Sequence, residues 1–187
     1  MTERSYHHGD LRRALLTATA AAIADKGPMA LSLRDLARRA GVSHAAPAHH
    51  FGDKAGLLTA LAAEGYAMLA DALSAAGGDL LDSGVAYVRF AIEHRAHFEV
   101  MFQPGLYHPD DPGVAAARER ADRSLSTALS TRPGHPRDED AEATQLAAWS
   151  LAHGFAALWL SGALSTTTEG DPEALARRVL GQLFQQP

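Results

Sequence analysis

The chain has 187 residues, 47% of them hydrophobic, which suffices for one substantial core or two smaller ones and argues against general disorder. It contains no Cys, which excludes a disulfide framework, a thiolate metal site and a thiol nucleophile. The net charge is -5, but the charge is unevenly distributed: up to residue 60 there are 8 Lys and Arg against 5 Asp and Glu, and beyond it 9 against 17. A basic N-terminal head can therefore meet phosphate, while the acidic body does not.

The N-terminal segment is predicted to be a polar arm followed by a helix. Residues 1–9 are too polar for a secretory signal, and no apolar run in the chain reaches the roughly 20 residues of a membrane span. Asp10 is expected to cap the first helix, whose apolar stripe starts at Leu11 and which ends at Gly27 and Pro28. We therefore expect a cytoplasmic protein with no membrane partner.

Residues 31–61 begin with the signals of a short, tightly terminated helix. Ser32 can cap that helix, and Asp35 stands three residues later, as in a capping box. Gly41 tolerates the left-handed backbone that a sharp reversal needs, so the helix should stop there.

A second short helix is expected immediately after this turn. Ser43 offers an N-cap, so the helix should start at His44 and place Pro47 within its tolerant first turn. Gly52 then permits another reversal, and Asp53 can cap a longer helix. Two helices joined by a short turn containing Gly form a helix-turn-helix, whose second helix enters the major groove of DNA.

The spacing across this region resembles that of the TetR/AcrR family of one-component regulators. The resemblance rests on Gly41, Val42, Ser43, His50, Phe51, Asp53, Lys54 and Leu57. It implies an N-terminal DNA-binding head, a helical ligand-binding body and a helix connecting the two. The family usually has a Tyr that touches the DNA backbone where this chain has Ala48, so a neighbour such as His49 would have to supply that contact.

Candidate DNA contacts follow from the chemistry of the outward positions. Imidazoles can bond phosphates or base edges, an Ala methyl can meet a thymine methyl, and the N–H groups at helix starts favour phosphate. The predicted contacts are Ser32, Arg34, Ser43, His44, Ala45, Ala48, His49, His50 and Lys54. In the plainer alternative the serines are only caps and the histidines only surface residues.

The rest of the chain is predicted to be helical. Helices are expected over residues 54–74, after Asp79, over 98–102, 113–130 and 140–164, and after Asp171, with loops at 109–113 and 131–140. Residues 98–102 could be a strand on residue preference, but no second strand is present to pair with it, so a short helix is preferred.

The helix over residues 140–164 is apolar almost all round, so it should pack within its own subunit and against a partner. With the terminal helix it could form a four-helix seam in a homodimer. Its string of Trp149, His153 and Gly154 resembles a WHG-type motif in the C-terminal domain of one branch of the family. The predicted domains are a helix-turn-helix domain over residues 1–56 and a ligand-binding and dimerisation domain over 57–187.

Aromatic, Met and His side chains in the body could line a mostly apolar ligand pocket. The candidates are Tyr66, Tyr87, Phe90, His94, Phe98, Met101, Phe102, Trp149 and His153. Ordinary core packing is the competing interpretation. No metal or cofactor is predicted, because the histidines lack chelating spacing. No enzyme is predicted either, because Ser150 beside His153 lacks a nucleophile elbow.

These features together predict an all-α, ligand-responsive transcriptional regulator. We expect a repressor that binds a pseudo-palindromic DNA operator as a homodimer and responds to a small-molecule effector of unidentified structure. The alternative is a helical ligand-binding dimer without operator-specific DNA binding.

Overall fold

The computed structural model describes residues 4–130, 141–164 and 170–184, with side chains over 10–130, 142–164 and 170–182. Within these residues there are nine α-helices, a 3-10 turn at Pro104–Leu106 and no strand. The helices are α1 (Arg4–Lys26), α2 (Leu33–Arg39), α3 (Ala46–Phe51), α4 (Lys54–Ala75), α5 (Leu80–Glu93), α6 (Arg95–Met101), α7 (Pro112–Ser130), α8 (Ala141–Leu160) and α9 (Pro172–Phe184). The all-α prediction is confirmed, and α6 includes most of the segment whose short-helix assignment competed with a strand.

The predicted N-terminal arm is wrong for residues 4–9, because α1 begins at Arg4 and runs through Asp10. No proline interrupts this stretch, and an isolated glycine such as Gly9 costs a helix only about 1 kcal/mol. At its other end α1 stops as predicted, where Gly27 takes a left-handed φ of 76°. Residues 1–3 lie outside the described part of the chain.

Later helix ends follow local signals. Asp79 caps α5 by accepting from the Asp82 N–H at 2.8 Å. Asp171 accepts from the Glu173 N–H at 3.1 Å at the start of α9, as predicted. The expected end of α8 at residue 164 is wrong, because Gly162, at φ 77°, ends the helix at Leu160. Residues 131–140, predicted to be a loop, lie outside the described residues.

The chain divides into two compact units. The first comprises Met1–Gly65 and Ala96–Ala115. Its core contains fully buried aliphatic side chains from α1, α2 and α4, among them Leu15, Ile23, Leu36, Leu57 and Leu61. Burial of each such side chain contributes roughly 1.5–3 kcal/mol, so this core fixes the helices that would face DNA.

The second unit comprises Tyr66–Arg95 and Ala116–Pro187. Leu80 of α5, Leu129 of α7 and Ala148 of α8 form a buried cluster within it. Two ion pairs join α5 to α9: Arg89 donates to both carboxylate oxygens of Glu173, at 2.7 and 2.6 Å, and Arg177 donates to Asp82 at 2.5 Å. The ion pairs are exposed, so the apolar cluster is the main source of stability.

Helix α4 is the one described helix whose length and composition would suit a membrane span. However, 56% of its most apolar window is buried inside the protein. Burial of this kind is the pattern of a helix that contributes to a protein core.

Candidate nucleic-acid interface

Helix α2 is bounded by the two signals that the sequence predicts. The Ser32 hydroxyl accepts from the Asp35 N–H at 3.5 Å, and the Asp35 carboxylate pairs with Arg38 at 2.9 Å. At the other end Gly41 has a φ of 66°, and the Val42 N–H returns to the Ala37 carbonyl at 3.0 Å. This is a Schellman arrangement, which reverses the chain sharply and directs it toward the next helix.

The second helix begins later than predicted. α3 starts at Ala46, and its N-cap is Ala45, which has no side chain able to cap. Ser43 instead closes a turn, in which its carbonyl accepts from the Ala46 N–H at 3.0 Å. Pro47 therefore occupies one of the first two helical positions, where its missing N–H costs nothing. The predicted start at His44 is wrong, while the expectation that Pro47 is tolerated is confirmed.

The reversal from α3 into α4 depends on two glycines. Gly52 has a φ of 78°, and the Asp53 carboxylate caps α4 by accepting from the Gly56 N–H at 2.8 Å. A Cβ on Gly56 would lie 2.0 Å from the backbone oxygen of Phe51, so no larger residue fits without movement of the chain. Sequence reasoning missed Gly56, although a glycine in the first turn of a helix has no propensity advantage and is a signal of close approach.

The predicted DNA contacts lie together in the first unit, on α2, the turn, α3 and the start of α4. Most of these side chains are exposed, namely Arg34, Ser43, His44, Ala45, Ala48 and His49, while Ser32, His50 and Lys54 are half-buried. Pro47 of α3 is buried. The short second helix therefore presents polar and small side chains outward from a rigid base.

Internal contacts engage several cations of the first unit. Arg39 pairs with Asp25 at 3.0 Å, in addition to the pair of Arg38 with Asp35. The Lys54 ammonium donates to the Met29 carbonyl at 3.0 Å. An ammonium has three N–H donors, so Lys54 can also donate to another acceptor. Arg34 makes no polar contact within the described residues and retains all its donors.

Arg12 lies outside the set of predicted DNA contacts, although the sequence allows an arginine near the start of the first helix either to approach phosphate or simply to be solvated. It is exposed on α1, and its Cζ lies 5.2 Å from the ring centroid of Phe51, the last residue of α3. This contact joins residues far apart in the sequence, so no local pattern could have revealed it.

In the second unit, three of the predicted pocket residues form a hydrogen-bonded group. The Trp149 indole N–H donates to the Tyr87 hydroxyl oxygen at 3.3 Å, and that hydroxyl lies 2.9 Å from Nδ1 of His153. Because an indole N–H can only donate, the Tyr87 oxygen accepts from Trp149. The direction of the bond between the Tyr87 hydroxyl and Nδ1 of His153 depends on the tautomer of the imidazole.

The pKa shifts in this Tyr87–Trp149–His153 group have burial as their main cause. Burial raises the pKa of the Tyr87 hydroxyl far above its usual value, partly opposed by the hydrogen bond from Trp149. Burial also lowers the pKa of His153. Both shifts favour the neutral forms, so at pH 7 the group is an uncharged polar chain between α5 and α8.

The remaining pocket candidates make contacts of their own. Phe90 packs against His94, with ring centroids 5.4 Å apart, and the guanidinium of Arg118 lies over the Tyr66 ring at 5.2 Å. Phe98, Met101 and Phe102 belong to the first unit, where Phe98 and Phe102 are in edge contact at 5.1 Å.

Comparison with known proteins agrees with this architecture. A family model described as "Bacterial regulatory proteins, tetR family" matches residues 15–61, and one described as "Tetracyclin repressor-like, C-terminal domain" matches residues 80–183. The chain is 30% identical over 186 residues to the HTH-type transcriptional regulator BetI of Cronobacter sakazakii, covering 94% of this chain and 89% of that protein.

Solved structures show the same fold. A protein of unknown function from Rhodococcus sp. RHA1 is 30% identical, covers 98% of both chains and superposes with a TM-score of 0.77. The TetR family transcriptional regulator PfmR from Thermus thermophilus has a TM-score of 0.72 at 24% identity, covering 91% of this chain and 97% of that one.

The short helix α3 has an outward polar surface, and a Gly turn connects it to the capped helix α2. Two such helices followed by a helical body define a helix-turn-helix DNA-binding regulator. Both parts of the chain match the corresponding family models, and the second match includes the string of Trp149, His153 and Gly154. The chain belongs to the TetR family of bacterial transcriptional regulators.

Proposed function

We propose that this regulator is a repressor that binds a pseudo-palindromic operator as a homodimer and leaves it when a small molecule binds the body. We assign DNA binding to residues 1–56, effector binding and dimerisation to residues 57–187, and the cytoplasm as the place of action. The observation that carries the proposal is α3, a short helix with exposed His49 and Ala48 on a buried Pro47 base. Its size and surface suit entry into a major groove.

A stripe of small residues on α8 supports the homodimer. Its members recur at alternating spacings of four and three, and all are exposed except Gly154, which is half-buried: Ala143, Ala147, Ser150, Gly154 and Ala157. A Cβ on Gly154 would meet nothing within 4 Å. Four of the five large exposed apolar side chains among the described residues lie on α8 and α9: Leu146, Trp149, Leu158 and Val179.

Such a surface suits a second copy of the same chain. Small residues let two helix backbones approach closely, and the exposed apolar side chains would be removed from water in a two-fold, self-complementary contact. Because each copy carries one α3, a dimer would present two recognition helices to half-sites one helical turn of DNA apart.

The Tyr87–Trp149–His153 group supports effector binding. A mostly apolar pocket needs a few fixed polar groups to orient its ligand, and these three side chains are held by hydrogen bonds to one another. Suppose that an effector binds the DNA-free conformation more tightly than the DNA-bound conformation by about 1–3 kcal/mol, a typical coupling free energy. Its binding would then reduce operator affinity by roughly 5–150-fold.

The deciding experiment is an electrophoretic mobility shift with DNA from upstream of the protein's own gene, with a random duplex of equal length as competitor. We expect a complex at moderate salt that survives excess random duplex, and a dimer by sedimentation in the absence of DNA. A dimer that shows no preference for the upstream DNA would instead support a helical ligand-binding dimer without operator recognition. A monomer bound to the upstream DNA would contradict the homodimer.

A further inference from the structure

Arg12 is a charged side chain outside the helix-turn-helix that nevertheless lies at the recognition helix. It is exposed on α1, and its Cζ lies 5.2 Å from the ring centroid of Phe51 at the end of α3. Since Phe51 is half-buried and belongs to α3 itself, the contact fixes the guanidinium beside the C-terminal end of that helix.

The rings of Phe51, His50 and His49 follow one another around the C-terminal end of α3. The Phe51 and His50 ring centroids are 6.2 Å apart, and those of His50 and His49 are 5.6 Å apart. His49 is exposed and is one of the predicted DNA contacts. Arg12 therefore contacts the helix that carries this predicted contact.

Arg12 keeps its charge and its hydrogen-bond donors. A cation–π contact uses the charge of the guanidinium and gives its five N–H groups no carboxylate or carbonyl acceptor. Within the described residues no carboxylate or carbonyl accepts from Arg12, whereas Arg38 and Arg39 are held by Asp35 and Asp25. Phe51 thus positions Arg12 without neutralising it.

We propose that Arg12 binds a phosphate of the DNA backbone beside the C-terminal end of α3. A guanidinium edge matches two phosphate oxygens in a bidentate contact. The nearby exposed position on α3, Ala48, has only a methyl group and cannot donate a hydrogen bond, so a donor from α1 would serve the backbone there. The inference rests on the proposed DNA binding and adds to it a contact from outside the helix-turn-helix.

The test is the salt dependence of DNA binding, measured by fluorescence anisotropy with a labelled duplex from upstream of the gene and with a random duplex. The variants are Arg12→Ala, Arg12→Lys and, as a matched control, Arg13→Ala, which removes one charge from the exposed neighbour on the same helix. Thermal melts followed by circular dichroism establish that each variant is folded. If Arg12→Ala is unfolded, Arg12→Gln, which retains a long polar side chain, takes its place.

We expect Arg12→Ala to weaken binding to both duplexes by the same factor and to reduce the slope of log K against log salt by about 0.9 for each Arg12 in contact. The ratio of wild-type affinity to Arg12→Ala affinity should then fall roughly threefold per contact between about 50 and 200 mM salt. Arg12→Lys should retain most of the slope, and Arg13→Ala should match the wild type.

An unchanged slope in a folded Arg12→Ala variant would overturn the proposal and leave Arg12 a packing residue of Phe51. Equal slope changes in Arg12→Ala and Arg13→Ala would also overturn it, because the effect would then belong to the overall charge of the head. A wild-type protein that binds neither duplex would refute the proposed function itself, a result distinct from either of these.

Discussion

At the scale of single residues, the Tyr87 hydroxyl is the centre of the Tyr87–Trp149–His153 group. Tyr87 is 5% exposed, and its hydroxyl accepts from Trp149 and shares a hydrogen bond with Nδ1 of His153. Removing a buried group of this kind costs about 1–3 kcal/mol, because the partners lose their bonds without regaining water.

We therefore expect Tyr87→Phe to lower the free energy of unfolding by about 1–3 kcal/mol, measured by urea denaturation near neutral pH. Trp149→Phe removes the donor at the other end of the same bond, so its effect should be less than additive with that of Tyr87→Phe. Strictly additive losses in the double variant would show that the two side chains do not act through a shared hydrogen bond.

The lowered pKa of His153 gives stability a pH dependence. In the unfolded chain a His titrates near 6.5, whereas burial lowers the pKa of His153 in the folded state. Its contribution is therefore fully present above about pH 6.5 and is lost as the pH falls toward the lower folded value. His153→Asn retains an acceptor for Tyr87 but does not titrate, so this variant should lose less stability than the wild type between about pH 7.5 and 5.5. Identical losses in urea titrations at the two pH values would assign the effect to other groups.

At the scale of elements, the junction of α3 and α4 tolerates no side chain at Gly56. A Cβ there would lie 2.0 Å from the Phe51 backbone oxygen, which cannot move without displacing the end of the recognition helix. Gly56→Ala should destabilise the protein by about 1–3 kcal/mol in chemical denaturation and weaken DNA binding in mobility shifts. Gly105→Ala is the matched control, since open space surrounds that position and its φ is not left-handed. Equal effects of the two substitutions would contradict a specific requirement at Gly56.

The elements show how far sequence reasoning reaches. The caps at Ser32, Asp79 and Asp171 and the stop at Gly41 depend on neighbours within a few residues, so the sequence predicted them correctly. The start of α3 was wrong because Ser43 can equally cap a helix or close a turn, and local chemistry does not distinguish the two.

The candidate site was predictable only where its parts are neighbours in the chain. The predicted contacts of α2 and α3 come from one continuous stretch, and the structure places them in one unit. The contact of Arg12 with Phe51 spans 39 positions, and that of Tyr87 with His153 spans 66. Sequence periodicity can mark each of these residues as outward or inward, but it cannot pair them.

At the scale of the whole molecule, the charge pattern separates two tasks. In the first unit Asp25 and Asp35 are paired with arginines of that unit, which leaves Arg12 and Arg34 with donors to offer an anion. The excess of acidic residues lies beyond residue 60, where 9 Lys and Arg stand against 17 Asp and Glu. Two ion pairs of the second unit join α5 to α9. A protein built in this way can offer Arg12 and Arg34 to DNA while the acidic excess of the later chain opposes indiscriminate binding.

The proposed homodimer would complete this arrangement, and the small-residue stripe of α8 allows it to be tested without disturbing the fold of one chain. Ala157 is exposed on α8, so Ala157→Arg should leave helix content and thermal unfolding of the subunit nearly unchanged. In a seam of closely packed helices the same side chain would clash and bury a charge, so sedimentation velocity should show a monomer. Operator binding should weaken at least about tenfold, because a monomer cannot hold both half-sites together. Ala116→Arg, an identical change at an exposed position on α7, is the control and should remain dimeric. If Ala157→Arg also remained dimeric and bound DNA like the control, the seam would have to lie elsewhere on the molecule.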